Sequence, residues 1–181
     1  EVVKEIARED YIGNTGLIEA LENSITELFD YDFKEKKNPH LALGGFQQTF
    51  TLWGPGGTGK TSGIELVVGE ACKKAKKLGI PFHARQLKDF KNMYFGESEK
   101  AIGKFFDEIN KGDAVNAVII EDIDTVFFAR ESLKDSPADK AVLGKLMNAL
   151  EGFASPSLGN YVLFATSNHP LQGDGPLMDR L

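Results

Sequence analysis

One stretch of eight residues limits what this chain can fold into more than any other feature. Residues 54–61 read Gly-Pro-Gly-Gly-Thr-Gly-Lys-Thr, which fits the pattern G-x-x-x-x-G-K-[ST] of a phosphate-binding loop. Glycine has no Cβ, so the backbone of such a loop can adopt positive φ values and approach a ligand closely. Consecutive N–H groups then point into one concave site for an anion. The stretch therefore predicts a binding site for phosphate groups.

The sequence on either side supplies the secondary structure that this loop needs. Residues 48–53 are rich in aromatic and β-branched side chains, which predicts a strand. After the loop, apolar residues recur at helical spacing as far as Leu78, and Gly79 is placed to end that helix. The helix should begin at about Lys60, so its positive dipole end would face the phosphates. This order favours a nucleotide site over an ordinary glycine-rich turn.

Two side chains at the end of the loop are predicted to have separate roles in binding. Lys60 supplies a positive charge for the β- and γ-phosphates, and the hydroxyl of Thr61 is a suitable ligand for Mg²⁺. The predicted nucleotide-binding residues of this stretch are Pro55, Gly56, Gly57, Thr58, Gly59, Lys60, Thr61 and Ser62.

Composition excludes several other classes of protein. The chain has 181 residues, enough for one domain, with 41% hydrophobic and 27% charged residues, as is ordinary for a soluble protein. A formal net charge of −6 argues against a protein that mainly coats nucleic acid. With Cys72 as the single cysteine, we expect a reducing compartment such as the cytoplasm. No apolar run approaches the ~18–20 residues of a membrane span.

Strands and helices are predicted to alternate along the rest of the chain. Apolar residues at helical spacing predict helices within residues 17–29, 102–109 and 143–150. Short β-branched or apolar runs predict strands at residues 80–85, 117–120 and 161–166. This alternation predicts an α/β fold with a doubly wound, mainly parallel sheet. Ligands of such sheets bind at the carboxyl ends of the strands, where Gly54, Glu121 and Asn168 should converge.

Three local features complete these expectations. The charged run 32–37 is predicted to be the solvated end of a helix, and residues 38–45 a loop. Trp53, beside the phosphate loop, is expected to pack against the protein interior.

Two acidic residues end the apolar strand at 117–120. After a phosphate loop, Glu121 and Asp122 indicate the second half of a nucleoside triphosphatase site. In such sites one carboxylate holds the Mg²⁺ shell, and the other orients or deprotonates the attacking water. The alternative is a surface turn that carries two acids.

Four stretches together resemble the AAA+ ATPases, and specifically their AAA branch. These stretches are residues 54–61, similar to the Walker A motif; 119–124, similar to Walker B; 166–168, similar to sensor 1; and 93–99, similar to pore loop 1. Residues 10–13 also resemble the segment that borders adenine in this family. The resemblance extends over roughly residues 10–180.

The resemblance implies a P-loop NTPase fold, a three-layer αβα sandwich with a mainly parallel sheet. It implies that residues 1–181 form one large nucleotide-binding subdomain, with four of the family's five core strands and without its helical lid. It also implies ATP and Mg²⁺ as ligands. The implied site residues are Ile12 and Gly13 beside the adenine, Thr61 and Glu121 at the metal, and Asp122, Glu121, Asn168 and Arg180 in catalysis.

In this family, Arg180 would be a candidate arginine finger that acts on the nucleotide of a neighbouring subunit. The resemblance implies a homo- or hetero-hexamer with chaperone-like activity, which threads polypeptide through a central pore. Met93, Tyr94 and Phe95 would form an exposed apolar tip that grips the substrate. A core aromatic is the alternative role for Tyr94.

Two positions depart from the family pattern. Walker B ends Glu-Asp where most members have Asp-Glu, so the carboxylate of Asp122 is one methylene shorter. His169 stands where most members have arginine. Two further functions therefore stay open: a nucleic-acid-handling AAA+ ATPase of the clamp-loader or initiator type, and a nucleotide-binding scaffold with weakened hydrolysis.

Overall fold

Four parallel strands form the centre of the part of the chain that the structure, a computed structural model, describes: residues 4, 6–87, 97–123 and 157–168. The strands are β1 (Thr49–Trp53), β2 (Phe82–Leu87), β3 (Val115–Ile120) and β4 (Tyr161–Ser167). Their order across the sheet is β1-β4-β3-β2. Because every neighbouring pair is parallel, the carboxyl ends of all four strands meet at one edge. The predicted α/β class with a parallel sheet is confirmed.

The described helices precede or connect these strands, and all but the four-residue one bury apolar residues. They are α1 (Thr15–Phe29), the short α2 (Pro39–Ala42), α3 (Lys60–Leu78) and α4 (Glu97–Ile109), and a 3-10 turn at Arg8–Asp10 precedes them. In α1, the side chain of Asn14 accepts a hydrogen bond from the amide of Leu17 at 3.2 Å and so caps the helix. No described helix is both long enough and apolar enough to cross a membrane.

The core lies on both faces of the two central strands. Ala117, Ile119 and Phe164 pack on one face with α1 and α3. Val118 and Leu163, which alternate with them, are equally buried on the opposite face. Burial on both faces is characteristic of parallel sheets, and it explains the apolar run of β3. It agrees with the predicted three-layer αβα sandwich.

Helix α3 begins and ends at glycines, as predicted. Gly59 precedes it with φ 82° and Gly79 follows it with φ 68°, both in the left-handed region that favours glycine. Lys76 and Lys77 in the last turn complement the negative end of the helix dipole. The amino end of the helix, with the positive end of its dipole, lies directly after the glycine loop.

Three predicted segments differ from the structure for a local reason, and β3 begins at Val115, two residues earlier than predicted. Residues 32–37 form a turn closed by a bridge between Asp32 and Lys37, because the Asp32 carboxylate accepts two backbone hydrogen bonds. The predicted loop 38–45 contains α2, because Asn38 caps a helix whose first residue is proline. Strand β2 begins two residues later than predicted, because the Ile80 amide still bonds to the end of α3. The helix predicted at 143–150 lies outside the described residues.

Candidate functional site

The glycine loop joins β1 to α3 at the carboxyl edge of the sheet. Gly57 and Gly59 have φ values of 80° and 82°, which residues with a Cβ rarely adopt. Apart from chain neighbours, no described atom lies within 4 Å of where a Cβ of Gly56 or Gly57 would stand. The amide of Gly54 bonds to the carbonyl of Ser167 at 3.2 Å, which ties the loop to β4. The loop is therefore anchored at its start and open above its glycines.

Lys60 lies over this loop with all three ammonium donors engaged. Its Nζ atom donates to the carbonyl oxygens of Gly54 at 2.6 Å and Pro55 at 2.9 Å. It also donates to Oδ1 of Asn168 at 3.1 Å. The hydroxyl of Thr58 donates to the same Pro55 carbonyl at 2.9 Å. These contacts hold the positive charge at the mouth of the loop.

Asn168 connects this lysine to the acidic residues after β3. Its Nδ2 atom donates to Oδ1 of Asp122 at 2.9 Å, while its Oδ1 accepts from Lys60. The three residues come from three segments of the chain. They meet at the edge where the sequence predicted that Gly54, Glu121 and Asn168 would converge. The side chains of Asp122 and Asn168 are exposed to solvent at this edge, so a ligand on the loop can reach them.

The backbone of Asp122 has an unusual conformation, with φ 49°. Its amide donates to the hydroxyl of Thr166 at 3.2 Å, and the next amide, of Ile123, donates to the Thr166 carbonyl at 2.9 Å. Residues 166–168 were predicted to form a motif, but no role for Thr166 was predicted. No signal in the sequence links residues that are 44 positions apart.

Glu121 has a partner that the sequence analysis also missed. Its Oε1 atom accepts a hydrogen bond from Nε2 of Gln86 at 2.8 Å. Gln86 stands opposite Ile119 in the β2–β3 register, near the same edge of the sheet. A polar residue near the end of the neighbouring strand is the only sequence signal for this contact.

The residues predicted to hold Mg²⁺ supply oxygen ligands alone. Thr61 offers a hydroxyl from the first turn of α3, and Glu121 offers a half-buried carboxylate. Within the described part of the chain, no group of three or more His, Cys, Asp or Glu residues could hold a metal. This small oxygen set fits Mg²⁺, which keeps several waters and is often shared between one or two protein groups and phosphates. It does not fit a zinc site.

A cleft of about 490 Å³ opens beside the loop. Its lining includes Thr58 and Lys60 of the loop, Tyr11, Asn14, and Trp53 with other residues of β1. Trp53 is 66% exposed, so the expectation that it packs in the interior is wrong. It is exposed because it is the last residue of β1 and stands at the cleft.

Of the segment predicted to border adenine, Tyr11 lines this cleft, whereas Ile12 and Gly13 are not among its lining residues. The side chain of Ile12 is 98% exposed, and Gly13 is exposed beside it. Between them and α3 lies the ring of Tyr11: a Cβ on Gly63 would stand 3.1 Å from its hydroxyl. The absence of a side chain at Gly63 therefore lets this ring lie against the first turn of α3. Tyr11 is a cleft residue that the sequence analysis did not select.

Four of the remaining predicted site residues are not described by the structure. Met93, Tyr94, Phe95 and Arg180, with His169, lie outside the described residues. Ser62 is half-buried in the first turn of α3, next to Thr61.

Comparison with known proteins gives one family. A sequence model described as "ATPase family associated with various cellular activities (AAA)" matches residues 50–181. Among similar proteins is the ATP-dependent zinc metalloprotease FtsH of Corynebacterium glutamicum, 29% identical over 153 residues, which cover 82% of this chain and 17% of that protein. FtsH of Aster yellows witches'-broom phytoplasma is 31% identical over 138 residues, 75% of this chain and 19% of the relative. The chain thus spans about a fifth of the length of these relatives.

Two solved structures share the fold at low identity. The FIGL-1 AAA domain in complex with ADP has a TM-score of 0.62 at 20% identity, over 100% of this chain and 55% of that one. C. elegans PCH-2 has a TM-score of 0.63 at 16% identity, over 95% of this chain and 41% of that one. Both likenesses support the parallel P-loop sheet described above.

Proposed function

The chain belongs to the AAA family of ATPases, and from this premise we propose that it drives a protein-remodelling motor that threads polypeptide through a ring. One observation carries the ATPase part of this proposal. Lys60, Asn168 and Asp122 form a continuous hydrogen-bonded chain across three segments, at 3.1 and 2.9 Å. A charge for phosphate, a polar group and a carboxylate base are the parts that hydrolysis of a phosphoanhydride needs.

The loop and the cleft would divide the nucleotide between them. The backbone amides of the loop and the Lys60 ammonium would bind the β- and γ-phosphates. The nucleoside would then lie in the neighbouring cleft, which Tyr11 and Asn14 line. Ile12 and Gly13 stand between these two residues in the sequence. The cleft volume of about 490 Å³ lies within the usual range of small-molecule sites.

Asp122 is the proposed catalytic base. It would accept a proton from water as the water oxygen bonds to the γ-phosphorus and the bond to the bridging oxygen breaks, which releases ADP and phosphate. Asn168, already bonded to Asp122, would orient that water. Thr61 and Glu121 would hold Mg²⁺, which neutralises charge on the phosphates when it is bound.

Gln86 provides a first test of the metal site. We expect Gln86→Leu to raise the Mg²⁺ concentration for half-maximal ATPase activity by about tenfold, because groups that orient a metal ligand typically contribute 10–100-fold to affinity. A magnesium titration of steady-state turnover measures this. His83→Ala, an exposed change on the same strand, is the control. An unaltered magnesium requirement would show that Glu121 does not depend on Gln86.

The motor part of the proposal rests on family membership and on the 93–99 stretch. The FtsH relatives are, by name, ATP-dependent zinc metalloproteases. In this chain an aromatic tip at Met93, Tyr94 and Phe95 would contact an extended polypeptide in the pore of a hexamer. Arg180 would reach the nucleotide of the next subunit. The net charge of −6 disfavours the clamp-loader or initiator alternative.

Tyr94 tests the motor directly. In the full-length assembled protein, Tyr94→Ala should keep basal ATP turnover, while unfolding of a tagged substrate falls at least about tenfold. The reason is that gripping the substrate needs the aromatic side chain of Tyr94, whereas ATP hydrolysis does not. Tyr94→Phe keeps the ring and is the matched control. If Tyr94 were a core residue, alanine would instead lower stability by roughly 3–5 kcal/mol. ATPase activity that rises with DNA and not with unfolded protein would favour the nucleic-acid alternative.

A further inference from the structure

The end of β4 contacts Asp122 in two ways, once at its carboxylate and once at its backbone amide. Asn168 donates to the carboxylate of Asp122 at 2.9 Å. Two residues earlier on the same strand, the hydroxyl of Thr166 accepts the Asp122 amide at 3.2 Å. The Thr166 carbonyl accepts the following amide, of Ile123, at 2.9 Å. One buried threonine, 2% exposed, therefore bonds two consecutive amides of the turn after β3.

The turn that these bonds hold is conformationally costly. Among the described residues, Asp122 and Lys36 are the non-glycine residues with positive φ. A left-handed backbone conformation is energetically unfavourable for an L-amino acid. Aspartate and asparagine nevertheless adopt it several-fold more often than other residues with a side chain. Glutamate has no such preference. The Glu-Asp order at 121–122 therefore places the residue type that tolerates the turn at the position where the turn occurs.

We propose that Thr166 is a positioning residue for ATP hydrolysis: its hydroxyl holds Asp122 in the left-handed conformation that aims the short carboxylate at Asn168. This inference rests on the proposed role of Asp122 as the catalytic base. It also accounts for the short carboxylate, because the turn supplies the placement that a longer side chain would otherwise provide. Thr166 touches no phosphate group in this account and acts through Asp122 alone.

Thr166→Val tests this proposal, because valine keeps the shape and removes the hydroxyl. In the full-length assembled protein, kcat for ATP should fall by about tenfold with KM little changed. A displacement near 1 Å can cost on the order of a hundredfold in rate, and a smaller displacement of Asp122 costs less. Thr166→Ser restores the acceptor and should return kcat to within about twofold of wild type. Thr49→Val makes the same change at the start of β1, far from Asp122, and should leave kcat unchanged.

Hydrogen exchange supplies a readout that does not depend on activity. The Asp122 amide, resolved to a single residue by mass spectrometry, should exchange at least about tenfold faster in Thr166→Val and near the wild-type rate in Thr166→Ser. Unchanged exchange would overturn the proposed contact whether or not the protein hydrolyses ATP. Faster exchange with unchanged kcat would overturn the positioning role and leave the ATPase assignment standing.

A second variant keeps the proposal testable if Thr166→Val fails to fold. Asp122→Glu restores the longer carboxylate of the usual family order, and it should lower kcat at least tenfold because the turn disfavours glutamate. A kcat equal to or above that of wild type would overturn the proposal. An inactive wild-type protein would refute the proposed function itself, and the exchange measurement would still decide the contact.

Discussion

Lys60→Ala is expected to weaken ATP binding by at least about a hundredfold. The ammonium group supplies the only side-chain charge directly on the described loop, and losing a charged partner of a phosphate costs about 2–5 kcal/mol. A hundredfold change corresponds to about 2.7 kcal/mol. Calorimetric titration with a slowly hydrolysed ATP analogue measures the affinity. The fluorescence of Trp53, which lines the cleft, provides an independent signal of binding.

Two controls separate lost charge from a relaxed loop. Lys60 also bonds the carbonyls of Gly54 and Pro55, so its removal alters the loop as well as the phosphate contact. Lys60→Arg keeps the charge but changes the donor geometry, so it should bind more tightly than Lys60→Ala if charge dominates. Lys77→Ala, in the last turn of the same helix, should bind ATP normally. Normal affinity in Lys60→Ala would refute the phosphate-loop assignment.

The segments best predicted from the sequence are those whose structure depends on residues close by in the sequence. The glycines around Lys60 require positive φ, and the apolar stripe of α3 repeats at helical spacing, so strand, loop and helix could be read locally. Asn168 bonds Asp122, the residue after Glu121, and the meeting of these segments followed from a general rule about parallel strands. That rule needs no knowledge of the order of the strands.

The contacts that were missed depend on which strands are neighbours. Gln86 reaches Glu121 because β2 lies beside β3, and Thr166 reaches Asp122 because β4 lies on the other side of β3. These pairs are 35 and 44 residues apart in sequence, beyond the range of any local pattern. The exposed position of Trp53 was missed for a related reason. Whether an apolar residue at a strand end is buried depends on which other segments of the chain pack against it, and a local sequence pattern does not contain this information.

Asp122→Asn should retain ATP binding and lower kcat by about 10²–10⁴-fold, the usual contribution of a general base. The substitution is nearly ideal for this site, because asparagine also tolerates the left-handed backbone at position 122. An amide oxygen can still accept the hydrogen bond from Asn168, so the geometry persists while the proton acceptor is lost. Single-turnover measurement of ATP cleavage, with affinity measured in parallel, separates chemistry from binding.

Glu121→Gln and Asp113→Asn are the matched controls for this change. Glu121→Gln should mainly raise the magnesium requirement, and Asp113→Asn, just before the other end of β3, should leave turnover intact. Loss of cleavage in Glu121→Gln but not in Asp122→Asn would show that the two carboxylates have exchanged roles. If wild type binds ATP yet cleaves it no faster than Asp122→Asn, the chain is a nucleotide-binding scaffold. A large difference in the rate of ATP cleavage between wild type and Asp122→Asn would show that the short carboxylate is active. These two proteins differ only in the ability of the side chain at position 122 to accept a proton.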